Sequence, residues 1–375
     1  MNLKTIYDIK DLAGKRILMR VDFNVPLEAG KVGEDYRLRK IFPTINYLRD
    51  AKAKIILISH IENVKDNSLR PVFDYLSYHF PVTFLTEPID EVKSKLALQK
   101  EGEVVLLENL RKNPGEKEND DVFAAKLASF GDLYVNEAFP VSHRAHASIV
   151  GVPKFIPAYA GIRFVQEIKE LSKSFTPPKP FLFIIGGAKF ETKMPLIKRF
   201  LDSADHVFIG GALANDCFKA KGWPVGNSVV SNSSLDLTPI INHPKVILPK
   251  DVVVEKGKEL IEKKPSEVAE GEKILDAGPE SLNDLRLLIQ KSLFVLWNGP
   301  LGNFEAGFKE ATLELAQIIA NTETTSVIGG GDTVGAISEL RLEQKFSFIS
   351  TGGGAMLEYL ANGTLPGIQA LENSK

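Results

Sequence analysis

Phe181 to Lys189 reads FLFIIGGAK, an unbroken apolar run closed by two glycines and a lysine. The same succession returns as HVFIGGA (206–212), SLFVLWNG (292–299), TSVIGGG (325–331) and FSFISTGGG (346–354). A run that is apolar at nearly every position suits a strand buried on both faces. Strand, glycine and then a helix-like stretch is the pattern of βαβ units in a parallel sheet. Working outward, the earlier half of the chain holds RILMRVDFN (16–24), KIILISH (54–60), VVLLENLR (104–111) and LYVNEAF (133–139). KVILP (245–249) and KILDAG (273–278) bring the total to about eleven runs. The expected fold class is α/β, with two doubly wound, Rossmann-like parallel-sheet domains.

Between the two halves lies YAGIRFVQEIKELSKSFTPPKP, where Ile162, Val165, Ile168 and Leu171 fall at helical spacing before a proline-rich break. A connecting helix is expected from about residue 158 to 173. It divides a domain at 1–157 from one beginning at 174, with a hinge at each end of the helix.

The composition of the 375 residues, 44% hydrophobic and 25% charged, fits a chain long enough for two cores. A formal net charge of −2 gives no global positive field for nucleic acid or an anionic membrane, so any basic site is local. One cysteine, Cys217, allows no internal disulfide and fits a reducing compartment. No apolar run reaches the ~20 residues of a membrane span. The chain reads as cytoplasmic.

In open parallel sheets ligands bind beyond the carboxyl ends of the strands. The first half closes its runs in charged and polar residues: Asp22 and Asn24, His60, Asn109 and Arg111, then Asn136 and Glu137 ahead of His143, Arg144 and His146. Taken singly, each suits a cap or a surface position; as a set they suit a small ligand bearing phosphate and carboxylate groups. The second half closes its runs in glycine, which lets backbone amides approach phosphate oxygens and points to a nucleotide. Lys189 and Lys193 follow the first double glycine four residues apart, neighbouring positions on a helix starting there. Asp332 follows a triple glycine, where a carboxylate either holds Mg²⁺ beside phosphates or caps a helix. No G-x-x-x-x-G-K-[ST] string occurs, and GGGDTVG departs from G-x-G-x-x-G by one residue, which removes the strongest signature of a dinucleotide oxidoreductase.

Together RVDFNVPL, LLENLR, HRAHAS, GGAK with its second lysine, WNGP, GGGDT, STGGGA and the late LPG (365–367) resemble the phosphoglycerate kinase family in order and spacing along nearly the whole chain. The resemblance implies reversible phosphoryl transfer between ATP and 3-phosphoglycerate by a monomer that uses Mg²⁺, with no nucleic-acid or membrane partner. It implies that Asp22, Asn24, Arg37, His60, Arg111 and Arg144 bind the phosphoglycerate, with Arg20, His143 and His146 completing the basic face. Arg37 and Lys193 would contact the group in flight, and Gly352, Gly353 and Gly354 would offer it helix-start amides. Lys189, Lys193, Asn298, Pro300, Glu305, Gly331, Asp332 and Thr333 would bind the nucleotide, with Asp332 at the metal. The glycine-rich domain would run from 174 to 355, and 356–375 would pack back toward the first domain.

One departure stands out. Where the family reads SHLGRP this chain reads SHIENVKD, placing Glu62 at the glycine and Asn63 at a substrate arginine, with Arg70 nearby. That leaves an alternative reading as a non-catalytic or substrate-weakened nucleotide-binding relative.

Transfer to a carboxylate needs no general base, because a carboxylate with a pKa near ~4 is already ionised at neutral pH. It needs alignment and positive charge, so a catalytic triad is not expected. With the cationic and glycine-rich ends on different domains, catalysis is expected to involve hinge closure.

Overall fold

A computed structural model describes residues 3–62, 67–231 and 235–374. Residues through Lys169 together with those from Asn362 onward form one compact unit, and Glu170–Ala361 form a second.

In the first unit the strands are β1 (Arg16–Arg20), β4 (Lys54–Ile58), β5 (Thr83–Leu85), β6 (Val104–Leu107), β7 (Leu133–Asn136) and β8 (Ala158–Ala160). A small hairpin of β2 (Leu27–Glu28) and β3 (Lys31–Val32) stands apart. The sheet order is β5-β6-β4-β1-β7-β8, parallel throughout. β1 is central, and its register sets Arg20 level with Ile58 of β4 and Asn136 of β7. The strand ends that carry Asp22, His60 and Glu137 therefore open at one edge. Ile17, Met19, Ile55, Leu57, Leu106 and Val135 pack one face of the sheet against the helices that include Ile45, Leu48, Val72 and Leu76.

In the second unit β9 (Phe181–Ile185), β10 (His206–Ile209), β11 (Val246–Ile247), β15 (Phe294–Asn298), β16 (Thr325–Gly329) and β17 (Phe348–Ile349) form a parallel sheet of order β11-β10-β9-β15-β16-β17. Every residue of β9 and β15 is buried, as their uniformly apolar sequences require. Register brings Ile185, Asn298 and Gly329 level, so three polar or glycine-rich turns leave the sheet side by side.

KILDAG departs from the expected parallel arrangement. It forms β14 (Lys273–Ala277), which pairs antiparallel with β12 (Val252–Lys256), itself the partner of β13 (Glu259–Lys263) in a separate three-stranded sheet. The cause is the tight turn at Gly257-Lys258, where Gly257 sits at φ 67° and reverses the chain into a hairpin. The connecting helix also starts later than expected, at Ile162, because Ala158–Ala160 is spent as the edge strand β8. It runs to Ser172 and crosses the boundary between the units.

The last helix, Pro366–Glu372, belongs to the first unit and packs on the wide turn Ala147–Gly151. The amide of Gly367 donates to the Ser142 carbonyl at 2.8 Å, and a Cβ on Gly367 would lie 2.7 Å from that of Ser142. Only glycine permits that approach.

Candidate active site

At the carboxyl edge of the first sheet, Arg20 ends β1 fully buried. Its Nε donates to Ser148 Oγ at 2.8 Å, one Nη donates to the Val21 carbonyl, and the other lies 3.1 Å from Nδ1 of His60. A guanidinium can only donate, so Nδ1 of His60 is the acceptor and the ring carries its hydrogen on Nε2. Nε2 is buried and has no hydrogen-bond partner. Burial first, then the charges of Arg20, Arg111 and Arg144, push the His60 pKa far below its usual value, so the ring is neutral at pH 7. The result is an orphaned donor in a cationic setting, which calls for an anionic acceptor.

Arg37 reaches the same edge. Its Nη1 donates to Asp22 Oδ2 at 2.9 Å and to the Asn24 carbonyl at 2.7 Å, and Asp22 is almost wholly buried. Arg144 sits beside His143, with Nε to Nε2 at 3.4 Å. His146 presents a buried Nδ1 without a hydrogen-bond partner. Burial, reinforced by Arg111 and Arg144, lowers its pKa to about 4. Arg111 has its side chain 3% exposed, and burial followed by repulsion from Arg144 and Arg20 lowers its pKa to about 10. The charges of Arg20, Arg111, Arg144 and His146 all act on His60, and Arg37 joins them through Asp22.

Beneath this edge lies a counterweight that the sequence did not disclose. Glu116 is fully buried and accepts from Ser148 N at 3.0 Å and Ser148 Oγ at 2.6 Å, so it steadies the hydroxyl that holds Arg20. In sequence it stands in a short charged turn, NPGEKEN, that reads as surface.

Two strand-end residues do not serve the crevice. Glu137 turns away, accepting from Thr44 Oγ1 and from the amides of Arg163 and Phe164 at 2.9 and 3.1 Å, so it caps the helix at Ile162. Burial raises its pKa to about 7 against those donors. Asn109 holds its own loop, donating to the Ile61 carbonyl at 2.8 Å and accepting from Arg111 N at 3.1 Å. Arg70 is occupied at the start of its helix, 3.1 Å from Asp74 and stacked 5.2 Å from the Phe73 ring centre. Asn63 lies outside the described residues.

In the second unit a cavity of about 360 Å³ opens at the sheet's carboxyl edge. Its lining combines the apolar Phe218, Val229, Val252, Ile274 and Leu301 with Pro300 and the ionisable Lys189, Asp276, Glu305 and Asp332. Apolar wall and ionisable groups in one cavity suit a flat base carrying phosphates. The antiparallel sheet supplies Val252 and Ile274, the part of the wall that reading KILDAG as a parallel strand had obscured.

Lys189 and Lys193 are not successive positions of one helix. Lys189 is the N-cap residue, at φ 65°, and the helix begins at Phe190. The exposed Lys189 faces the cavity, while Lys193 in the first turn is half-buried with Nζ against Asn298 Oδ1. Burial lowers the Lys193 pKa to about 8, with the nearby Asp332 charge pulling it back up. Asp332 sits in the first turn of Gly331–Glu339; burial and then Glu305 raise its pKa, opposed by Lys193. Thr333 is fully buried, and its hydroxyl accepts from Gly299 N at 3.0 Å, tying two glycine turns together. Gly353 at φ 52° leads into the helix Gly354–Asn362, and the Gly352 amide donates to Ser350 Oγ at 3.0 Å.

No group of three or more metal-ligating side chains occurs among the described residues. That donor set fits Mg²⁺ held through one carboxylate, Asp332, together with phosphate oxygens, and does not fit an all-protein cage.

The family model described as phosphoglycerate kinase matches residues 6–363. The chain belongs to the phosphoglycerate kinase family. It is 43% identical to a phosphoglycerate kinase of Dictyoglomus turgidum, each chain being covered in full. It is 41% identical to one of Caulobacter vibrioides, again over the whole of both. The solved phosphoglycerate kinase of Coxiella burnetii superposes with a TM-score of 0.84 at 33% identity and full coverage of both chains. That of Pyrococcus horikoshii superposes with 0.88 at 27%, covering 99% of this chain and 98% of the other.

Proposed function

We propose that the chain is a phosphoglycerate kinase that catalyses reversible phosphoryl transfer between ATP and the carboxylate of 3-phosphoglycerate. The observation that carries this reading is the pairing of two strand-end sites in a chain of this family. One is a buried cationic edge with an orphaned His60 donor; the other is a cavity that combines an apolar wall with ionisable groups including Lys189.

The basic edge binds the acid. Arg20, His60, Arg111 and Arg144, with His146, hold its anionic groups, while Asp22 and Asn24 keep Arg37 aimed through its hydrogen bonds. The cavity takes the nucleotide base against its apolar wall, with Lys189, Glu305 and Asp332 at the phosphate end. In the transfer a carboxylate oxygen attacks the γ-phosphorus, the bond to the β–γ bridging oxygen breaks, and ADP departs with that electron pair. Charge spreads over three equatorial oxygens as this happens. Lys193, Arg37 and the amides about Gly353 stabilise it. Mg²⁺ held by Asp332 would neutralise phosphate charge and orient the β- and γ-groups.

The acceptor and the donor are bound by different units, so catalysis requires a closing motion; scattering dimensions unchanged by both substrates together would refute that step. The central test is a coupled assay on purified protein. ADP formation from Mg-ATP is expected only when 3-phosphoglycerate is present, and its absence beside a working control enzyme overturns the reading.

A further inference from the structure

The stretch SHIENVKD puts a carboxylate, Glu62, just beyond β4 at the basic edge, and the structure shows where that carboxylate goes. Glu62 follows β4 and is one-third exposed. Its backbone amide donates to Asn24 Oδ1 at 3.0 Å, which fixes the loop against the basic edge. Its Oε1 is in ion-pair contact with Nη1 of Arg111, and Lys117 Nζ lies 3.5 Å from the same oxygen.

Arg111 is otherwise unsatisfied. Nε and Nη2 are buried and without a hydrogen-bond partner, so Glu62 engages one corner of the guanidinium and leaves its other donors open. A buried guanidinium in that condition gains from any anion presenting two oxygens in its plane. The neighbouring charges of Arg144 and Arg20 strengthen the demand, since both act on Arg111 repulsively.

We infer that Glu62 is a built-in competitor for the acid substrate: its carboxylate takes the Arg111 and Lys117 charges in the empty site, and a substrate anion must displace it to bind. This rests on the kinase reading above and deepens it. Displacement is feasible because the pair is lopsided. Glu62 is partly exposed and can swing into water at small loss, whereas Arg111 is committed to the interior. The consequence is a site tuned to release its acid readily. A dianionic phosphate displaces Glu62 more readily than a ligand with one weak anionic group, so the residue also biases the site toward higher substrate charge.

The test compares the full-length protein with Glu62→Gln and Glu62→Gly. Steady-state kinetics give KM for 3-phosphoglycerate, KM for ATP and kcat; calorimetric titration with inorganic phosphate reads the basic edge without turnover. Both variants are expected to lower KM for the acid roughly two- to fivefold. Phosphate binding should tighten by a similar factor, while kcat stays within about twofold and KM for ATP is unmoved. An unchanged or raised KM for the acid, or phosphate binding no tighter than in the parent protein, overturns the inference. Failure of the kinase reading would look different: neither parent nor variant would turn over, while the phosphate titration would still report on Glu62.

Discussion

Replacing Lys193 by Met separates what that residue does for the reaction from what it does to the fold. The amine of the half-buried Lys193 is held against Asn298, and burial lowers its pKa from the usual 10.5 to about 8. A lysine whose folded pKa lies below its unfolded value is a liability in the folded state. The penalty is full below pH 8 and is relieved as pH rises toward 10.5, where the unfolded chain also sheds its proton. With shifts of this size the penalty changes by about 2 to 3 kcal/mol between pH 7 and pH 10. Methionine does not titrate. The stability of Lys193→Met minus that of the parent should therefore fall by that amount over the same interval, whatever fixed amount is lost at Asn298. Urea unfolding followed by tryptophan fluorescence is the assay, because the chain's two tryptophans, Trp223 and Trp297, both lie in the second unit. At pH 7 kcat should drop roughly 100- to 1000-fold, as when one preorganised charge donor is removed from a transition state. A stability difference that is flat with pH would refute the assignment of a buried charged amine. Retained turnover would refute its place at the phosphoryl group.

Arg144→Ala should raise KM for 3-phosphoglycerate at least tenfold with a smaller effect on kcat, a split read directly from saturation curves; an effect confined to kcat would contradict its role at the acid. The His146 ring, with its pKa at about 4, should titrate well below pH 6 by NMR and move upward when inorganic phosphate is added; because the unfolded ring titrates near ~6.5, the first unit should lose stability as pH falls from there toward 4. Gly186→Ala would place a Cβ 2.1 Å from the Pro300 carbonyl oxygen. It should destabilise the second unit by about 1–3 kcal/mol and weaken ADP binding, both measurable by fluorescence and calorimetry.

The buried strands were the most legible part of the chain, because residues enclosed on both faces leave no polar alternation to misread; β9, β15 and β16 follow their apolar runs closely. Short edge strands were the least legible. Thr83–Leu85 and Ala158–Ala160 are each three residues long and depend on a neighbouring strand that sequence alone does not show. The hairpin of β12 and β13 alternates with charge and was passed over, although Gly257 marks its turn. In the site, strand-end position and residue type single out Asp22, His60 and Arg144, whereas Arg37, on the helix Tyr36–Arg39, enters only through the family resemblance. Position and type could not separate Glu137, a helix cap, from its neighbours, since both uses require a carboxylate at a strand end. Glu116 and Ser148 escaped notice because their importance comes from burial beneath Arg20, a property of three-dimensional packing alone.

The helix Pro366–Glu372 reaches back to the wide turn beside Arg144, and this bears on how the protein is born. During translation nearly the whole polypeptide, including all of the second unit, emerges before the piece that braces Ser142 and Ala147–Gly151 exists. A nascent chain can assemble its nucleotide cavity while the acid-binding edge still lacks this prop. The first unit is thus completed only after the second has been synthesised, and the turn Ala147–Gly151 is the part of it that waits for its support.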